Sequence, residues 1–165
     1  MLNLLILMNM KTILEAKDHL RKHYESGTNC PACGQLVKAY KRKLNSNMCR
    51  ALAIIYARTK NSDMYIHVQN EFTLLGLRAT AMDYTYLEKW KFIEVNPDKN
   101  GHWRVTNKGK AFVEDTIVVP SYCLVYAGKV YEWSTEQVNM TEALTTRFKL
   151  EDVLNLKKLI LNKDG

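Results

Sequence analysis

TAMDYTYLEKWKFIEVNPDKNGHWRVTNKGKAFVE, from Thr80 to Glu114, is the stretch that decides the fold. A helical run ending in Leu87 and Trp90 leads into the apolar strand Phe92-Ile93-Glu94-Val95. The turn Asn96 to Gly101 follows, then a second strand, His102-Trp103-Arg104-Val105. β-Branched and aromatic residues bracketed by Asn, Pro, Asp and Gly are what a hairpin requires. Thr106-Asn107-Lys108-Gly109 reads as the cap of a further helix that continues to Glu114, because a Thr hydroxyl can accept a bond from an amide three residues on.

Upstream, Thr12 and Glu15 form a capping box for a helix with Ile13, Leu20 and Tyr24 on its apolar side, ending near Ser26-Gly27. Asn45 and Ser46 look like the N-cap of a helix over Met48 to Lys60, whose apolar residues Met48, Leu52, Ile55 and Tyr56 recur at helical spacing. Tyr65-Ile66-His67-Val68 is a short strand, and Asn70 is placed to cap a brief helix ending at Gly76. Downstream, Ile117 to Pro120 and Tyr122 to Tyr126 read as strand, with a turn at Ala127-Gly128-Lys129 and a return over Val130 to Trp133. Asn139 and Glu142 form a second capping box, for a helix to about Phe148, and Leu150 to Leu161 suits a last helix. The chain thus divides into an N-terminal helix, cysteine knuckle and basic segment (1–45), a central domain (46–115) and a C-terminal hairpin and helical extension (116–165).

The 165 residues are 47% hydrophobic and 25% charged, which excludes a disordered chain. The net charge of +7 is concentrated in one place. From Gln35 to Ser62 there is no Asp or Glu, while Lys38, Lys41, Arg42, Lys43, Arg50, Arg58 and Lys60 are all basic. Such a segment is the electrostatic footprint expected for phosphates. The apolar run Met1 to Met8 has no basic region before it and is too short to span a bilayer, so a cytoplasmic protein without membrane association is expected.

Cys30-Pro31-Ala32-Cys33-Gly34 is a rubredoxin-type knuckle: Pro fixes the backbone, two thiolates converge, and Gly lets the chain turn beneath a metal. One knuckle is half a zinc site, and no second Cys-x-x-Cys occurs. His19 and His23, at i and i+4 on the first helix, are the complement expected, with Cys49 and Cys123 as further possibilities. A metal-free turn is the alternative. A redox pair would need a helix N-terminus and a βαβ context, neither of which is visible. No Gly-rich phosphate loop and no paired carboxylates occur, and His67 and His102 are lone strand histidines, so no enzymatic activity is expected.

If Tyr84 and Leu87 face the core, the helix before the hairpin presents Ala81, Met82, Thr85, Tyr86 and Lys89 outward. Thr80, Thr85, Tyr86 and Lys89, the phosphate-binding set Lys38, Lys41, Arg42 and Lys43, and Lys99 and Arg104 of the hairpin are the candidate nucleic-acid contacts. Base edges are read best by Arg, Lys, Asn and Gln, and Lys89 alone on that helix belongs to the set. Modest sequence preference is therefore expected.

The segment 46–115 resembles the winged helix-turn-helix superfamily, in particular its MarR-like pattern: a leucine-bearing helix (Leu87), a hydrophobic first wing strand (Phe92-Ile93-Glu94), a Gly-containing tip (Gly101) and a closing Thr-x-x-Gly (Thr106 to Gly109). The order of the CPxCG knuckle, the run Lys38-Ala39-Tyr40-Lys41-Arg42-Lys43-Leu44-Asn45-Ser46 and these elements is similar to that of small uncharacterised bacteriophage proteins. The resemblance implies an α+β fold with a winged-helix core. It also implies a DNA-binding regulator acting in the host cytoplasm on duplex DNA, as monomer or homodimer. The alternative it carries is an interaction module that modulates a host protein through Met82, Tyr86 and the C-terminal helix.

Overall fold

The computed structural model describes residues 12–145 and 149–155, with backbone alone for Thr80 and Ala81. The apolar run Met1 to Met8 and the end of the last predicted helix, 156–161, lie outside the described residues. The chain is a mixed α+β protein with small sheets, and it falls into two compact units. One comprises Met1–Arg42 and Cys123–Trp133, the other Lys43–Tyr122 and Ser134–Gly165.

In the smaller unit, α1 (Ile13–His23) starts at the predicted capping box, with the Glu15 amide donating to Thr12 Oγ1 at 3.2 Å and the Thr12 amide donating to Glu15 Oε2 at 2.9 Å. Of the apolar side expected, Leu20 and Tyr24 are half-buried in line with Ala16, and Ile13 is not part of it. Ile13 and Leu14 are 74% and 76% exposed, and Ala16 is the buried residue. Strands β1 (Thr28–Asn29) and β2 (Leu36–Val37) pair antiparallel around the knuckle. A three-stranded sheet places β3 (Tyr40–Lys43) beside β8 (Tyr122–Tyr126), which pairs antiparallel with β9 (Lys129–Trp133). The β8–β9 turn has Ala127 at φ 47 and Gly128 at φ 77, the left-handed pair that a two-residue hairpin loop needs. Tyr24 stacks on Tyr126 at 4.4 Å and meets the edge of Tyr131 at 5.4 Å.

The larger unit is organised around α2 (Ser46–Thr59), capped by Asn45 Oδ1, which accepts the Met48 amide at 3.0 Å. Its residues Met48, Cys49, Ala51 to Tyr56 and Thr59 are all buried, so it is a central helix and not a one-sided one. Strand β4 (Ile66–His67) passes into α3 (Val68–Leu74), whose cap is His67: its Nδ1 accepts the Asn70 amide at 3.3 Å, where Asn70 itself was the expected cap.

Then comes α4 (Ala79–Met82), which Asp83 ends by entering the left-handed region at φ 49. The helix predicted to run unbroken to Leu87 is replaced from Tyr84 to Glu88 by a 3-10 turn. Three residues per turn puts Tyr84, Leu87 and Trp90 on one side, and all three are buried.

Strands β5 (Ile93–Val95) and β6 (His102–Val105) form the predicted hairpin, with Ile93 opposite Val105 and Val95 opposite Trp103. β4 pairs on the other side of β6, giving the order β4-β6-β5.

Thr106 caps α5 (Asn107–Val113): its Oγ1 accepts the Gly109 amide at 3.1 Å and donates to the Lys91 carbonyl at 2.6 Å. A Cβ on Gly109 would lie 2.1 Å from the Phe92 carbonyl oxygen, so the closing Thr-x-x-Gly is a close backbone approach that only glycine permits.

Strands β7 (Val119–Pro120) and β10 (Gln137–Val138) pair, and α6 (Met140–Leu144) and α7 (Leu150–Leu154) pack on α2. α6 begins at the predicted Asn139–Glu142 box and stops before Phe148, at Thr145 with φ 59. Phe92 and Phe112 stack at 4.5 Å in the core, and the indole of the buried Trp90 donates to the Pro120 carbonyl at 2.8 Å.

Candidate nucleic-acid interface and cysteine knuckle

The phosphate-binding candidates sit in and around β3, in a stretch of sequence that has no acidic residue. Lys38, Lys41 and Lys43 are exposed, and the Arg42 guanidinium lies 5.6 Å from the Tyr40 ring centroid. Lys38, Lys41 and Arg42 belong to the smaller unit and Lys43 to the larger. Further along the basic segment, Arg58 is tied to Glu71 at 2.8 Å and Lys60 rests over the Tyr56 ring at 4.8 Å. Arg58 therefore carries its own counter-charge.

Before the hairpin, Thr85 is exposed, and Tyr86 and Lys89 are half-buried. The Thr80 side chain lies outside the described residues. Met82, expected on the outer face, is 3% exposed and belongs to the core. With α4 ending at Met82, the contacts predicted on one helix are split between α4 and the 3-10 turn.

In the hairpin, Lys99 is exposed on a turn fixed by Asn96, whose Oδ1 accepts the amides of Asp98 and Lys99 at 2.8 and 3.1 Å. Arg104 is engaged from three sides. Its Nε donates to Glu94 Oε1, its Nη1 donates to the Asp63 carbonyl at 3.2 Å, and its guanidinium lies 4.7 Å from the Tyr65 ring centroid. The Glu94 hydrogen bond is the main reason its pKa stands above the ordinary arginine value. Glu94 is its cross-strand neighbour, but Asp63 is 41 residues away, and nothing in the sequence pattern announces it.

Two lysines escaped the sequence reading. Burial, and then the charge of Lys91, push the Lys108 pKa down, and the Lys108 ammonium lies 5.7 Å from the Phe92 ring centroid. The bond from Thr106 to the Lys91 carbonyl brings these two cations together from 17 positions apart. An anion bound between them would relieve their repulsion.

At the knuckle, the Gly34 amide donates to the Cys30 carbonyl at 2.7 Å, and the Cys30 amide donates to the Gln35 carbonyl at the same distance. The amides of Ala32 and Cys33, and then the Cys33 thiol, hydrogen-bond to the Cys30 sulfur and hold its pKa below the ordinary thiol value. The Cys33 thiol is thus a hydrogen-bond partner of Cys30, whose thiolate form is favoured.

Each of the predicted histidine ligands has one ring nitrogen in a hydrogen bond. His19 Nε2 is 3.0 Å from Thr28 Oγ1, His23 Nδ1 is 2.8 Å from the His19 carbonyl, and the two rings stack at 4.5 Å. Among the described residues no three of His, Cys, Asp and Glu are grouped so as to hold an ion. Cys49 and Cys123 are fully buried, and desolvation raises the Cys49 pKa to about 12.

Among the described residues no helix is long and apolar enough to cross a membrane. Comparison with protein-family models, curated proteins and solved structures found no match.

Proposed function

We propose that the chain is a nucleic-acid-binding protein built on a winged helix-turn-helix, with duplex DNA as its partner and modest sequence preference. The order helix, strand, helix, helix, strand, strand from α2 to β6, with sheet order β4-β6-β5, supports the winged-helix reading. In it, α4 and the 3-10 turn take the recognition position, and Asn96 to Gly101 forms the wing.

The observation that carries the function is the acid-free basic segment with Lys38, Lys41 and Lys43 open to solvent. Lysines at phosphates displace condensed counterions, and that release is the main source of sequence-independent affinity. Lys91 and Lys108 add a second phosphate contact beside the hairpin. Arg78 at the N-cap of α4 and Lys89 after the 3-10 turn are the side chains of base-reading type that flank the recognition segment, and Arg104 is held by Glu94, so discrimination between sequences is weak.

The test is a salt titration of binding to short duplexes of several sequences. Affinity falls steeply with salt, by about 0.9 log units per log unit of salt for each phosphate neutralised. Lys41→Glu, Arg42→Glu and Lys43→Glu together weaken binding to every duplex and flatten the salt slope. Unchanged affinity in that variant at low salt overturns the proposal. Recovery of a long, strongly constrained site from random duplexes overturns the modest preference.

A further inference from the structure

The knuckle has the spacing of half a tetrahedral metal site, and among the described residues no further ligand group completes it. The Cys33 thiol hydrogen-bonds to the Cys30 sulfur. The Cys30 sulfur receives the Ala32 and Cys33 amides, which is the second-shell support that a metal-bound thiolate uses. Cys33, Ala32 and Gly34 are exposed at the end of the β1–β2 hairpin. Of the other residues with soft ligand atoms, Cys49 and Cys123 are fully buried. His19 and His23 are bonded to Thr28 and to the helix backbone, and no third ligand joins the pair among the described residues. The residues outside that set contain neither Cys nor His.

We propose that Cys30 and Cys33 of two copies of this chain bind one zinc ion between them, so that the metal bridges a homodimer through four thiolates. A structural zinc ion requires four ligands, and two exposed knuckles meeting tip to tip supply them without moving any core residue. Four thiols release four protons to solvent on binding one Zn²⁺, leaving a tetrathiolate of net charge −2. Assembly therefore weakens as pH falls and the thiols regain their protons. The proposal does not depend on nucleic-acid binding. If both hold, the dimer presents two basic segments.

The test uses the full chain prepared with zinc, with metal analysis and sedimentation measured together. One zinc per two chains is expected, in a dimer that a strong chelator converts to monomer and that zinc restores. Cobalt in place of zinc should give the charge-transfer intensity of four sulfur ligands. Cys33→Ser abolishes metal and dimer together, whereas His19→Ala and His23→Ala leave both intact. Should Cys33→Ser misfold, the chelator titration of the unaltered chain still decides. One zinc per monomer, half an equivalent without a dimer, or a Cys30–Cys33 disulfide without metal each overturns the proposal.

Discussion

The two units solve the same stability problem with unequal means. Among the described residues, every fully buried large side chain, from Trp90, Phe72, Phe92 and Phe112 to Leu52 and Leu144, lies in the larger unit. The described residues of the smaller one that are buried and apolar are Ala16, Cys123 and Val125. Its described residues bury little apolar surface, and what they show holding them together is a capping box, two hairpins and the tyrosine cluster that joins Tyr24 to Tyr126 and Tyr131. Among the described residues, one part is thus held by large buried side chains and the other by caps, hairpins and ring contacts. A metal would matter to the second far more than to the first.

Substitutions should expose this asymmetry. The largest effect is expected at Gly109→Ala. The new Cβ collides with the Phe92 carbonyl and with Val105, neither of which can give way, and global stability should fall by more than about 3 kcal/mol in denaturant melts. A mild effect would mean that the hairpin and α5 are not held as tightly as the packing indicates.

Next is Thr59→Val. Thr59 Oγ1 accepts the buried Val105 amide at 3.0 Å and donates to the Ile55 carbonyl at 2.8 Å, so valine leaves an amide unpaired at a cost of about 1–3 kcal/mol. Tyr126→Leu in the smaller unit should cost only about 0.5–1.5 kcal/mol, the worth of a ring pair. Its signature is faster amide exchange in β8 and β9 with the larger unit unchanged. A collapse of the whole chain would erase the distinction between the units.

Smallest in energy is thiol labelling of metal-free protein. Cys30 and Cys33 should alkylate rapidly, Cys30 already below the pH at which an ordinary thiol reacts, while Cys49 and Cys123 stay protected until unfolding. The buried Cys49 thiol, raised from 9.0 to about 12, holds its proton in the folded state. Its contribution to stability is therefore complete below about pH 9 and declines as pH rises toward about 12. A Cys49→Ala variant should lose that part of the alkaline slope in pH-dependent melts.

Local chemistry was legible in the sequence, and long-range chemistry was not. The caps at Thr12, Asn45, Thr106 and Asn139 stand where Ser/Thr/Asn spacing predicts them, because a cap needs only residues three apart. The hairpin and its register follow from alternation and turn composition in the same way.

The spacing of Tyr84 and Leu87 correctly reported burial yet misreported the helix, since three-residue spacing fits an α-helix and a 3-10 turn alike. Met82 was read outward on the assumption of continuous helical phase, which Asp83 breaks. Asp63 at Arg104, Lys91 beside Lys108, and Thr59 under Val105 come from chain segments that only folding brings together. The grouping of Cys123–Trp133 with the N-terminal residues is another product of folding, since a linear reading can mark only consecutive segments.

That last hairpin leaves and re-enters the larger unit at a single point. The Ser134 amide donates to the Tyr122 carbonyl at 3.0 Å, the Ser121 amide donates to the Glu136 carbonyl at 2.9 Å, and the Ser121 and Ser134 hydroxyls are 3.3 Å apart. The two cut ends are thus already neighbours in the backbone ladder, the situation in which inserted segments are exchanged with least disturbance. The stretch 123–133 is a removable excursion in the topology of the larger unit. A tight turn grafted from Tyr122 to Ser134 would convert that unit into one uninterrupted chain, with Trp90, Phe92 and Phe112 still in place.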